Sequence, residues 1–467
     1  MRSVGIMLRF ASKALDAWLT SHNRKPMVLR GARQVGKTWL IRDLAKRQHL
    51  DLVELNFERS PTLADLFSSN NPEVILRNIE AELNITINIS SSLLFLDEIQ
   101  AAPQLFSKLR WFKEDMQDFP VIAAGSLLEF SLNKYQYSMP VGRISYFYLE
   151  PMSFFEFILA SGYDALYQRL LDFDLKDHIP ESLHQKSLNL VHDFCIIGGM
   201  PEVVLEWVTD KNVKLCIKLQ QDLLETYRDD FHKYGGETDA MLLSKIMMSV
   251  SEQLGGKFIY SRVDPKRNTA QIKNALTLLS RAKVCTKVLH TSGNGIPLGA
   301  ESNEKFFKCF MLDTGLVSIQ MGLASGKPSE VRSMIFRNKG GLAEQFVGQQ
   351  LRAAQTPETD PKLFYWQRIG GRMGELDYII QHGNQVVPVE VKSGKSGSMK
   401  SLHYFAAEKG LSFAVRCNTN PPEVKDLKVK TTQGNPISYK LLSIPLYLSE
   451  RMNNLIYQAT RGQAGSN

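Results

Sequence analysis

Several absences narrow the possibilities at once. No apolar run in the 467 residues approaches the length of a membrane span; the longest are short pieces such as 93–96 and 121–124, so no membrane partner is expected. Cysteine is sparse. The five present (Cys195, Cys216, Cys285, Cys309 and Cys417) include no pair at CxxC or metal-ligand spacing, which excludes a disulfide framework and fits a reducing cytoplasm. Neither His192, His232 nor His403 has a partner at metal spacing, and no repeat recurs at a fixed period.

What is present describes an ordinary folded protein: 43% hydrophobic and 22% charged residues, in a chain too long for a single small core. The net charge of +8 suits a polyanionic partner as well as it suits a basic solubility margin. Residues 1–19 are basic and amphipathic like a transit peptide, but Asp16 and the direct run into a strand favour a helix packed on the following core.

Fully apolar strands at 27–30, 52–56, 93–96 and 121–124 alternate with helical segments at 39–47, 71–83 and 104–116. That alternation predicts a parallel sheet covered on both faces, within a first domain of residues 1–150. A helical lid or linker is expected over 151–235, turning at Gly198-Gly199-Met200-Pro201; YRDDFH at 227–232 reads as a solvated or salt-bridged helix face. Residues 236–330 combine helices with strand-like pieces at 284–290 and 305–312. This is the order of a winged helix, or of a small helical packing domain. A second α/β domain is expected over 331–460 and a disordered tail over 461–467.

Two motifs carry chemistry in the first domain. GARQVGKT (Gly31, Ala32, Arg33, Gln34, Val35, Gly36, Lys37, Thr38) follows a strand and opens a helix, the context a phosphate loop requires. Its backbone N–H groups would cradle ATP phosphates, Lys37 would reach the β- and γ-phosphates, and Thr38 would give an oxygen to Mg²⁺. LLFLDE then delivers Asp97 to the sheet edge to hold Mg²⁺, with Glu98 polarising the attacking water. Ser126, after the next strand, is placed to sense the γ-phosphate. Arg143 is the nearest candidate for stabilising transition-state charge, from the same subunit or a neighbouring one.

The last domain has its own constellation. Glu390 and Lys392 alternate on an apolar strand and share a face. Asp377 lies thirteen residues earlier across a short turn, and Glu344 sits on the preceding helix. Asp377 and Glu390, completed by Glu344, are candidate Mg²⁺ ligands, and Lys392 would position water or neutralise charge on a phosphorane. Charges inside apolar strands are costly unless they serve such a purpose. Gln367 and Arg368 read either as phosphate contacts flanking the same groove or as strand-edge solvation, while Tyr365 and Trp366 read as core.

Taken together, RGARQVGKT (30–38), FLDEIQ (95–100), AGS (124–126), GR (142–143), LEPMSFFEF (149–157), GGMPEVV (198–204), FMLDTGL (310–316) and VPVEVKSGK (387–395) resemble a specific group. The sequence is similar to the bacterial and archaeal AAA-type P-loop ATPases whose C-terminal half is a domain of unknown function with a restriction-endonuclease-like core. The resemblance implies a P-loop NTPase parallel sheet, a helical or winged-helix region, and a restriction-endonuclease-like α/β domain. It implies no settled substrate. Three functions stay open: an ATP-controlled metal-dependent DNA nuclease; a nucleic-acid-binding ATPase switch or motor with an inactive nuclease fold; and a signalling ATPase scaffold acting as a homo-oligomer. A retained Glu98 argues against a purely structural nucleotide.

Overall fold

A computed structural model describes residues 7–126, 140, 142–234, 240–323, 340–368 and 374–461. The chain opens on helix α1 (Ala11–Leu19), whose Leu15 is buried, so the amphipathic N-terminal segment packs on the core. Five strands follow: β1 (Met27–Arg30), β2 (Asp51–Asn56), β3 (Ser92–Asp97), β4 (Val121–Ala124) and β5 (Ser145–Tyr148). They form one sheet in the order β2-β3-β4-β1-β5, every pairing parallel. Helices α2 (Lys37–Arg47), α3 (Pro72–Leu83) and α4 (Leu109–Asp115) connect them. β3 and β4 are buried along their whole length, because helices cover both faces. The helix expected over 104–116 begins instead as a 3-10 turn at Pro103–Lys108 and becomes α-helical only at Leu109.

Residues 154–234 are helical as the pattern predicts: α5 (Phe154–Ala160), α6 (Asp164–Leu171), α7 (Glu181–Ile197), α8 (Pro201–Asp210) and α9 (Val213–Tyr234). Next come α10 (Ala240–Glu252), α11 (Thr269–Arg281) and the antiparallel strands β6 (Cys285–Thr291) and β7 (Ser302–Met311). This pair is not a free-standing wing. β6 pairs in parallel with β8 (Leu363–Gln367), so the hairpin forms one edge of an eight-stranded sheet. A hairpin alone is marginal; pairing with β8 extends its sheet, and α10 and α11 pack against its strands.

The remaining elements are α12 (Thr314–Gln320), α13 (Gly340–Ala353), β9 (Glu375–His382), β10 (Gln385–Val391), α14 (Lys400–Lys409), β11 (Phe413–Asn418), β12 (Glu423–Lys430), β13 (Pro436–Pro445) and α15 (Met452–Arg461). The sheet order is β12-β13-β11-β10-β9-β8-β6-β7. α14 packs on one face through Leu402, Phe405 and Ala406. The other face joins an apolar core that continues through α5–α9 to the first sheet, from Leu15 to Ala459. One core thus runs across the boundaries expected at 150, 235 and 330, while a second core on the first sheet stays within residues 28–146. Among the described residues no helix is long and apolar enough to cross a membrane, and all five cysteines are buried free thiols.

Candidate functional site

The loop between β1 and α2 is held tightly on every side. A Cβ on Gly31 would lie 2.5 Å from the Leu149 carbonyl oxygen, so only glycine lets β1 and the segment after β5 approach this closely. Gly36 begins α2 with φ of 94°, the left-handed region. Lys37 is buried and donates to the Gly31 and Ala32 carbonyls at 3.1 and 2.8 Å. Burial lowers its ammonium pKa to about 8, against the opposing pull of Glu98 and Asp97. An ammonium in that condition gains from any phosphate brought to it.

Thr38 Oγ1 lies 3.4 and 3.3 Å from the two oxygens of Asp97, and Asn56 Nδ2 donates to Asp97 Oδ2 at 3.1 Å. Burial, then the charges of Glu98 and Glu54, raise the Asp97 carboxyl to about 6. A hydroxyl beside a crowded carboxylate fits Mg²⁺, which would relieve that crowding and leave Lys37 for the phosphates. Glu98 has φ of 53° and accepts a hydrogen bond from Gln100 Nε2. β4 lies between β3 and β1, so Ser126 sits between the acidic edge and the loop; its buried Oγ has no protein partner.

Arg143 does not join this group. β5 runs parallel to β1 with Ser145 opposite Met27, so Arg143 precedes the N-terminal end of the strands while the loop follows the C-terminal end. At about 3.3 Å per residue the strand itself separates the two edges by roughly 10 Å. The guanidinium is half-exposed and pairs with Glu114 at 2.7 Å. Pattern reading missed the groups that clamp the loop. Arg9 Nη1 donates to the Val35 carbonyl at 2.8 Å, and Tyr227 Oη donates to the Arg33 carbonyl at 2.8 Å. Arg33 in turn pairs with buried Asp230 at 3.0 Å. The segment 227–232, expected to be solvated or salt-bridged, thus presents its buried face to the phosphate loop.

In the eight-stranded sheet β9 and β10 meet across the turn at Gly383 and pair as far as Val389 opposite Tyr378, so Glu390 and Asp377 are the next residues along the two strands. Asp377 Oδ2 accepts from the Val391 N–H at 2.7 Å, and Lys392 Nζ pairs with Glu390 Oε1. Glu390 is buried, its Oε2 has no partner, and burial followed by the charge of Asp377 raises its carboxyl to about 7. Glu344 meets Asp377 through a shared lysine. Lys308 of β7, fully buried, reaches Glu344 at 2.7 Å, Glu375 at 2.5 Å and Asp377 at 3.6 Å. Burial lowers the Lys308 pKa, but the three carboxylates outweigh it and hold the ammonium charged. Each of the three expected metal ligands meets a lysine: Glu344 and Asp377 share Lys308, and Glu390 pairs with Lys392 through Oε1 while its Oε2 stays open. Among the described residues no group of three or more His, Cys, Asp or Glu is arranged to hold a metal ion. Asp377 and Glu390 would offer a cation two carboxylates, with Lys392 beside them. Arg368 stacks over Tyr404 at 4.2 Å, and the Gln367 side chain accepts from Tyr365 at 3.1 Å.

Comparison with known proteins agrees with the first of these sites. Residues 23–158 match an AAA domain. With the loop geometry above, this segment is an AAA-type P-loop nucleotide-binding domain of an ATPase. Residues 188–327 and 339–433 match two domains of unknown function, DUF8612 and DUF4143. No curated protein matches the chain. The chain is similar to the ADP form of the Aeropyrum pernix ORC2 protein at 14% identity, covering 71% of this chain and 97% of that one, with a TM-score of 0.29. For the Aeropyrum pernix ORC1 protein in complex with DNA the figures are 13%, 70%, 93% and 0.24. A signal transduction ATPase with numerous domains and a tetratricopeptide repeat sensor, from Pyrococcus horikoshii, gives 12%, 73%, 46% and 0.23. TM-scores this low do not establish a shared overall fold.

The AAA domain is bolted to the rest by α13. Arg352 makes two hydrogen bonds to Glu150, at 2.9 and 2.7 Å. Gln350 accepts from the Phe154 N–H at 2.7 Å, and Gln349 donates to buried Asp313 at 3.0 Å. Asp313 also accepts from the Gly199 N–H at 2.6 Å, which ties the GGMP turn to the LDTGL segment. One helix thus touches the AAA domain near one end and carries Glu344 near the other.

Proposed function

We propose that the chain is an ATP-hydrolysing switch that governs a metal-dependent phosphodiesterase centre acting on nucleic acid, DNA before RNA. The observation that carries this reading is the free oxygen of Glu390, buried beside Asp377 with Lys392 just past the end of the same strand. A carboxylate oxygen buried without a hydrogen bond is costly, and a divalent cation shared with Asp377 would satisfy it. When bound, the cation would polarise a phosphodiester and acidify a water. The chain's own residues do the rest: Asp377 is oriented by the Val391 N–H, and Lys392 stands by to neutralise charge on the phosphate. Control by ATP rests on α13, through which a shift in the AAA domain would reach Glu344 and Lys308.

A second reading has its own support. Lys308 already neutralises Glu344 and Glu375, as a fold that keeps its acidic cluster only for stability would require. Under that reading the C-terminal domain grips nucleic acid without cutting. Nicking of plasmid and single-stranded DNA with Mg²⁺ or Mn²⁺, with and without ATP, separates the two. Cleavage lost in Glu390→Ala/Lys392→Ala, and altered by ATP only when Lys37 is intact, supports the coupled nuclease. Intact ATP hydrolysis with no cleavage in any lane selects the switch.

A further inference from the structure

The strand next to β10 presents a second unsatisfied group. Arg416 of β11 is the direct cross-strand neighbour of Glu390 in a parallel pairing, so both side chains stand on the same face of the sheet. Among the described residues its guanidinium Nε and Nη2 are buried and have no hydrogen-bond partner, while Nη1 touches Met399 Sδ at 3.9 Å. Glu390 Oε2 is likewise buried and unpartnered. Two opposite charges on adjacent strands would ordinarily satisfy one another; here each keeps its open valence. Nε and Nη2 form the edge of the guanidinium fork that matches two oxygens of a phosphate. A cation on Glu390 and a phosphate on Arg416 would satisfy both groups at once, each ligand neutralising the other.

We propose that Arg416 is the phosphate-binding residue of the C-terminal site, taking one non-bridging edge of a nucleic-acid phosphodiester through Nε and Nη2 beside Glu390. The proposal rests on the reading of that site as one for nucleic acid, and it adds the residue that would hold the phosphate in register with the carboxylates. It also gives α14 a role, since Met399, just before that helix, closes the outer side of the guanidinium. Lysine cannot replace this fork, because an ammonium offers a point charge without the paired, coplanar donors.

The test uses the full chain with its nucleotide site filled by a non-hydrolysable ATP analogue, so that the phosphate loop takes no free phosphate. Inorganic phosphate is titrated calorimetrically, and a labelled 20-nucleotide single-stranded DNA by fluorescence anisotropy, both with Mg²⁺. Wild type is compared with Arg416→Met, Arg416→Lys and, as a control for the loss of one exposed charge, Lys428→Met. The expected result is at least tenfold weaker binding of both probes in both Arg416 variants, and a change within twofold in Lys428→Met. Without ligand, Arg416→Met melts at the same temperature as wild type or higher, because an unpaired buried guanidinium contributes nothing to the fold. Unchanged binding of both probes in Arg416→Met overturns the proposal and leaves the nucleic-acid reading in place. So does a melting temperature lowered by several degrees and restored by Arg416→Lys, the signature of a structural ion pair. Arg416-dependent phosphate binding with no DNA binding in any variant supports the receptor and sinks the nucleic-acid reading. Failure of wild type to bind either probe removes both.

Discussion

Replacing Lys308 by methionine tests whether the acidic cluster is held by an internal cation. Methionine preserves most of the volume and removes only the ammonium. In the native protein that ammonium is fully buried and lies within 2.7 Å of Glu344 and 2.5 Å of Glu375. Glu344 is itself buried, and burial already pushes its carboxyl well above the usual range. Stripped of its counterion, it must remain charged in an apolar setting or take up a proton. Breaking a buried pair on one side costs about 3–5 kcal/mol, a large fraction of the roughly 5–15 kcal/mol that stabilises a folded domain. The loss should be smaller at pH 6 than at pH 8, since a protonated carboxyl needs no counterion. Adding Glu344→Gln should recover a good part of it, with a coupling on the order of 2 kcal/mol between the two sites. Urea unfolding followed by circular dichroism, on wild type, both single variants and the double variant, measures every corner of the cycle. A loss below about 1 kcal/mol in Lys308→Met, or strict additivity in the double variant, would show that water screens the cluster and that the reasoning is wrong.

Three further outcomes are expected. Glu98→Gln should bind ATP with near-native affinity while hydrolysis falls at least a hundredfold, as measured by equilibrium binding and steady-state phosphate release; comparable losses in both would mean that Glu98 shapes the loop instead of activating water. Arg143→Ala should leave kcat within about twofold, because Arg143 stands at the strand ends opposite the phosphate loop and pairs with Glu114. Glu450, half-buried, accepts from Ser153 Oγ and the Phe155 N–H, and desolvation raises its carboxyl to about 8 from 4.5. The folded state therefore binds its proton more tightly than the unfolded state does. Its contribution is fully present below about pH 4.5 and is lost as pH rises to about 8. Glu450→Gln should flatten that decline by several kcal/mol in thermal melts run across the window, and an unchanged slope would assign it to other groups.

The sequence by itself determined what is local. The strand, glycine-bearing loop and helix at 27–47 need only apolar runs and backbone permissiveness, and they place Lys37 and Thr38 without help from afar. A fully apolar β3 leaves Asp97 at the sheet edge, and a short turn at Gly383 fixes Asp377 beside Glu390. β12 was not legible, because its alternating lysines and acids look like a solvated segment until β13 covers one side. Tertiary structure alone decided where distant charges find their counterions. Lys308 sits in a stretch, KFFKCFM, that gives no sign of Glu344 thirty-six residues on. Arg9 reaches Glu156 and the phosphate loop only because α1 docks there. The parallel pairing of β6 with β8 turned an expected wing into a sheet edge, and parallel neighbours far apart in sequence leave no local signature. Arg143 stands at the strand ends away from its own subunit's phosphate loop because it precedes β5, which runs parallel to β1. Periodicity and turn chemistry are set within a few residues, whereas compensation of buried charge is a property of the packed core, where any strand can supply the missing partner.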